Sequence, residues 1–259
     1  MDFNKAESAF QNYLKGYNWE DSKINLKIEH TYGVVKLSEY ITKDLRLDEE
    51  DIQLARIIAL LHDIGRFEQI KVYGAFEDYR TMDHADYGVK ILFEEGLIRR
   101  FIEEKQYDEI ILKAIKNHNK YEIEEGLSEK ELLHSKIIRD ADKTDNFRVK
   151  SVSDVEDMGN MTESELITQT ITDEIFNDFM SYKTIVSNRR KTAVDMWISC
   201  IAFIFDYNFN SGLKYIKEKD YINILVDRFA FQNEETKNRM EVIRKCANDY
   251  IIERISNNS

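Results

Sequence analysis

Apolar residues recur three and four positions apart along nearly the whole chain, and no run alternates with the period of two that a half-buried strand requires. The pattern predicts an all-α protein with helices over 3–16, 22–46, 50–63, 83–95, 107–119, 129–149, 163–179, 188–208 and 234–255. Asp21-Ser22 and Asp48 stand where a side-chain oxygen takes up the free amides of a first turn, and Ser128 with Glu131 has the spacing of a capping box. Gly16, Gly65, Gly96 and Gly126 fall where helices are expected to stop, with Gly65 alone supplying the turn after His62-Asp63. Between Ser151 and Ser164 the sequence SVSDVEDMGNMTES is polar and acidic and reads as a solvated loop or lid. It separates a histidine-bearing part, 1–150, from a C-terminal helical extension, 151–259, expected to pack on it as one compact domain.

Composition sharpens this picture. The 259 residues include no proline and 9 glycines, against an average proline share of roughly 5%. Unkinked helices follow, and proline-rich linkers or recognition segments are excluded. A net charge of −12 disfavours capture of nucleic acid polymers or anionic membranes and leaves a small molecule as the expected partner. No uninterrupted apolar run reaches bilayer length and the first twenty residues lack signal-peptide features, so a cytoplasmic location is expected. Cys200 and Cys246 lie outside any CxxC spacing and are expected to serve helix packing.

The chemistry lies in the histidines, all five of which fall between residues 30 and 134. His30 shares a helical face with Val34, Leu37 and Ile41. The apolar helix in ARIIALLHDIGRFEQ ends in His62-Asp63, and a carboxylate there needs compensation, because burying an unpaired charge is costly. His84 opens a further helix, His118 lies below Ile110 and Ala114, and Asp142 lies four residues after Ile138, each beside an apolar stripe. Four imidazoles and two carboxylates on helices that must pack together suit one or two divalent metals among Mn, Fe, Co, Ni, Zn and Mg.

The order His30, His62-Asp63, Asp142, with LLHDIGR, DHADYG, AIKNHNK and IIRDADKTDNF between residues 25 and 150, resembles the HD-domain superfamily of metal-dependent phosphohydrolases. The resemblance implies a helical bundle and, through His84 and His118, the dinuclear type: His30, His62 and Asp142 on one metal, His84 and His118 on the second, Asp63 bridging both. Mn, Fe, Co, Ni or Zn would fill the site, with Mg acceptable in one position. It further implies hydrolysis of a phosphoester of a nucleotide or other small phosphorylated molecule through a hydroxide bridging the metals. Arg66 and Lys143 are then candidates for phosphate binding and catalysis beside Asp63, and Asp145 for holding a metal-bound histidine in its tautomer. Asp140 is expected to be exposed, and His134 to pack between helices. Asn119 stands where similar HD-GYP phosphodiesterases have a second histidine, and the GYP tripeptide is missing, which weighs against a cyclic dinucleotide substrate.

Phe67, Tyr73, Phe76 and Tyr79, in an expected aromatic loop, are candidates for base stacking. Arg189, Arg190 and Lys191 precede a long apolar helix with Trp197, which is either buried or the interface of a homo-oligomer; Arg189 is a candidate for closing over substrate phosphate. Two further functions fit the same ligand set. A mixed-valent di-iron oxygenase uses a similar scaffold with four histidines and two aspartates, and a non-catalytic sensor would bind a nucleotide without turnover.

Overall fold

The structure is a computed structural model that describes residues 1–158 and 161–257, with the side chain of Tyr79, one of the base-stacking candidates, outside the description. It is all-α, and no strand occurs among the described residues. The chain forms two compact units, residues 1–145 and 146–259. The first contains α1 (Phe3–Leu14), α2 (Ser22–Asp44), α3 (Glu49–Leu61), α4 (Ile64–Tyr73), α5 (His84–Val89), α6 (Asp108–Asn117) and most of α7 (Glu129–Val152). The second contains the end of α7, then α8 (Glu163–Thr168), α9 (Asp173–Met180), α10 (Ala193–Ile201), α11 (Asn210–Glu218), α12 (Tyr221–Asp227) and α13 (Glu234–Ser256).

In the first unit α3 is the central element. Leu54, Ile57, Ile58, Leu60 and Leu61 are essentially inaccessible, and α1, α2 and α6 pack around this helix. Asp21 accepts from Lys23 N at 2.9 Å and Asp48 from Asp51 N at 2.9 Å, so both expected caps form. Ser128 and Glu131 close their capping box through a 2.7 Å bond from Ser128 N to Glu131 Oε2. In the second unit α10 is buried almost all round, with Trp197 donating its indole N–H to Leu225 O at 3.1 Å.

Several expectations need correction. Residues 67–73, the first half of the expected aromatic loop, belong to helix α4, and Gly65 lies inside that helix without a positive φ. A Cβ on Gly65 would sit 2.2 Å from His84 O and 2.8 Å from Gly88 N, so this glycine permits close packing of α4 on α5 and makes no turn. Phe67 is accordingly a core residue, edge-on to Phe10 and Tyr13. The predicted helix 163–179 is broken at 169–172, where Gln169 Oε1 accepts from the Ala193 amide at 2.6 Å and the Thr172 amide donates to Asp195 Oδ1 at 2.9 Å. The predicted helix 188–208 is a short 3₁₀ turn at Ser187–Arg189, then α10 capped by Thr192, then a 3₁₀ segment. Residues 210–227, unassigned by periodicity, form α11 and α12, split by Asp220 at φ 58°, which shifts the phase of the apolar repeat between them. The solvated-loop reading of 151–164 also changes: α7 runs to Val152, and Val155 and Met161 are buried in the core of the second unit. Cys200 is buried and Cys246 half-buried, and neither is in a disulfide.

Candidate metal centre

Helix ends and the faces of two long helices, α2 and α7, bring the expected ligands of the first unit together. His62 is the C-terminal cap of α3 and Asp63 the residue before α4, so the buried end of α3 delivers both side chains to one point. His84 is the first residue of α5, held there by Asp83, whose side chain accepts from the Ala85 and Asp86 amides. His118 caps the C-terminus of α6, His30 comes from the buried face of α2, and Asp142 from α7.

Asp63 is the centre of this arrangement. Its Oδ2 lies 3.8 Å from His30 Nε2 and 3.5 Å from His62 Nε2, and its Oδ1 lies 3.3 Å from His84 Nε2 and 3.6 Å from His118 Nε2. One carboxylate thus faces two histidine pairs, one with each oxygen. Asp142 Oδ1 approaches His30 Nε2 at 3.0 Å and adds a second carboxylate to the first pair. Two groups able to hold an ion share Asp63: His30, His62 and Asp63, and Asp63, His84 and His118.

Each imidazole is oriented from its far side. His30 Nδ1 lies 2.8 Å from Asp145 Oδ2 and His84 Nδ1 2.6 Å from Asp78 Oδ2, while His62 Nδ1 and His118 Nδ1 donate to Ala59 O at 2.7 Å and Ile115 O at 2.6 Å. With Nδ1 as the donor, each Nε2 faces inward and carries a lone pair wherever the ring is neutral. The Nε2 atoms of His30 and His62 are buried; Asp142 Oδ1 is the carboxylate oxygen nearest His30 Nε2, at 3.0 Å, and no hydrogen-bond partner meets His62 Nε2 among the described residues. The Nε2 atoms of His84 and His118 stand 3.0 Å apart. Inward lone pairs around a buried carboxylate form a set that a divalent cation satisfies and that protein donors here do not.

Electrostatics separate His62 and His84, held neutral, from His30, held protonated in the metal-free protein. Burial pushes His62 down to about 4 against the pull of Asp63, and burial together with Arg66 takes His84 to about 4 against the pull of Asp78. Burial and Lys27 act to lower His30, but the Asp142 and Asp145 carboxylates outweigh them and raise it to about 9. Burial would raise the Asp63 carboxyl; Lys27 and the neighbouring histidines hold it well below the usual range instead.

Residues 28–146 match the family model of the HD domain. This segment is an HD domain. No curated protein and no solved structure matches it. Several residues around the ligands, including Lys27 just before the matched segment, carry no motif signal. Lys27 places Nζ 2.6 Å from Asp63 Oδ2. Gly33 leaves room for Asp145, whose Oδ1 would lie 2.0 Å from a Cβ at that position. Asp78, which orients His84, is held by Arg66 Nη1 at 2.7 Å and Gln69 Nε2 at 3.0 Å. Buried Arg139 donates to Asn117 O at 2.9 Å and to Lys120 O, bracing the helix end that carries His118.

The remaining candidates are placed as follows. Arg66 Nη1 also bonds Gln69 Oε1 and Phe76 O, both at 2.6 Å, while its Nε lies 3.8 Å from Asp63 Oδ1, buried and without a hydrogen bond. Lys143 is buried one residue after Asp142. Asp140, expected at the surface, is completely buried, because α7 is enclosed on that face as well. His134 Nε2 meets Asp51 Oδ1 at 3.1 Å and ties α7 to α3. Asn119 donates to Asp83 Oδ1 at 3.1 Å. Arg189, in the second unit, is paired with Glu174 at 2.7 Å and with Asp178. No helix among the described residues is long and apolar enough to cross a membrane.

Proposed function

We propose that this protein is a metal-dependent phosphohydrolase that cleaves a phosphoester of a nucleotide or another small phosphorylated molecule, with no polymer or membrane partner. The observation that carries the proposal is the placement of Asp63, one oxygen toward His30 and His62 and the other toward His84 and His118. Two ions held by these residues and Asp142, drawn from Mn, Fe, Co, Ni and Zn with Mg in one position, would supply an acidified water as nucleophile and positive charge opposite the phosphoryl oxygens. The protein side of the chemistry is positioning. Asp145 and Asp78 keep His30 and His84 turned inward with Nδ1 protonated. The buried Nε–H of Arg66, unpartnered beside Asp63, is available to a substrate oxygen, and Lys143 adds charge next to Asp142.

The test is a matrix of metals against substrates. Protein freed of metal is reconstituted with Mn, Fe, Co, Ni, Zn or Mg and assayed for phosphate release from nucleotides and generic phosphodiesters, with His62→Ala as the negative control. Release that depends on metal and vanishes in His62→Ala supports the proposal. Oxygen uptake by the iron-loaded protein without phosphate release establishes the oxygenase instead, and thermal stabilisation by nucleotides without turnover establishes a sensor.

A further inference from the structure

Lys27 lies one helical turn before His30 on α2 and places its ammonium on the carboxylate at the heart of the site. Its Nζ is 2.6 Å from Asp63 Oδ2, the oxygen that faces His30 and His62. Asp63 is nearly inaccessible, whereas the Lys27 side chain keeps 17% of its surface open. Among the described residues Asp63 is the single hydrogen-bond partner of this ammonium, and the Phe76 ring lies 5.5 Å from it. Arg66 differs, because three acceptors fix its Nη1 in place. A lysine on a flexible four-carbon stem with one partner can leave that partner.

A divalent ion bound by His30 and His62 would need Asp63 Oδ2, and an ammonium 2.6 Å from the same oxygen would be repelled at that range. The released charge would then stand at the edge of the site beside Phe76, where a phosphoryl oxygen is the anion at hand. We infer that Lys27 is a mobile counter-ion: it neutralises Asp63 before the metal arrives, yields the carboxylate to the metal, and then binds a phosphoryl oxygen of the substrate or product. The inference rests on the metal-dependent reading above.

Calorimetric titration of Mn²⁺ into metal-free wild type, Lys27→Met and Lys27→Arg, followed by titration of inorganic phosphate into each Mn-loaded protein, tests it without measuring activity. Removing a competing cation should tighten Mn²⁺ binding in Lys27→Met, and losing a charge-assisted hydrogen bond should weaken phosphate binding, each by about tenfold or more. Lys27→Arg should keep phosphate binding near wild type. Lys27→Gln repeats the measurement if the methionine variant fails to fold. Mn²⁺ affinity that is unchanged or weaker, or phosphate affinity that is unchanged, overturns the assignment while leaving the metal centre intact. A wild type that binds no Mn²⁺ overturns the reading beneath it as well.

Discussion

Gly33 sits three residues after His30 within α2, where alanine would ordinarily stabilise a helix by about 1 kcal/mol. Here the sign should reverse. A Cβ at residue 33 would lie 2.0 Å from Asp145 Oδ1, 2.4 Å from its Cγ and 2.7 Å from its Oδ2, so the whole carboxylate must move. That carboxylate is itself buried and holds His30 Nδ1 at 2.8 Å. Overpacking of this kind costs about 1–3 kcal/mol, and a hydrogen bond to a charged group contributes about 1.5–3 kcal/mol more. Gly33→Ala should therefore lose roughly 2–5 kcal/mol of stability, the helix gain subtracted. Freed from Asp145, His30 should also bind metal about 10–100-fold more weakly, the usual cost of losing the group that orients a ligating histidine. Denaturant unfolding and calorimetric metal titration read the two effects separately. Gly88→Ala is the control, because its Cβ would meet Ile64 Cγ2 at 3.4 Å and Gly65 N at 3.5 Å, ordinary contacts. If Gly33→Ala proves as stable as Gly88→Ala and binds metal like wild type, the account of Asp145 is refuted.

Other expectations are as specific. In metal-free protein, His62 and His84 titrate near 4 against about 6.5 when unfolded, so below pH 6.5 the unfolded chain binds up to two more protons and stability falls with acid. His30, raised to about 9, contributes stability that is full below about 6.5 and lost as pH rises through 9, so the melting temperature with chelator should peak near pH 6.5; a flat profile from pH 5 to 6.5 would contradict neutral burial of the pair. Asp142→Asn removes a carboxylate from the His30 half alone, so metal analysis should show preferential loss of one ion, with the half formed by Asp63, His84 and His118 retained; equal loss of both would count against separate halves. His134→Leu breaks the contact with Asp51 and should lower stability by about 1–3 kcal/mol while leaving metal content unchanged, and altered metal content would place His134 in the site.

The candidate ligands were legible because each combines a metal-binding side chain with an apolar helix stripe, as in the run that ends in His62-Asp63. The surrounding groups were not. Gly33 looks like a weak helix residue until α7 is laid across it, and Lys27 looks like a surface charge in the polar stretch before His30. Asp78 is one acidic residue in the segment FEQIKVYGAFEDYR, and nothing in its spacing indicates that Gln69 and Arg66 on α4 hold it against His84. Gly65 misled because glycine after an apolar run serves equally as a stop signal or as a site of close packing, and only the approach of His84 O decides between them. In the second unit the helix breaks depend on Gln169 and Asp195 bonding to distant amides, a tertiary choice that overrides local periodicity.

The two ways of orienting the histidines explain which parts of the site need distant residues. His62 and His118 cap the C-termini of α3 and α6, where the last carbonyls lack the regular intrahelical partner, and each ring bonds the carbonyl three residues back. For these two, the helix end fixes both the position of the ring and its tautomer, so local sequence is sufficient. His30 lies within α2 and His84 opens α5, and each ring meets a carboxylate from outside its own helix. Each histidine pair around Asp63 therefore contains one ring set by its own helix and one set by a tertiary carboxylate. Changes to Asp145 or Asp78 should loosen one half of the site at a time, whereas Asp63 is the residue through which a change reaches both.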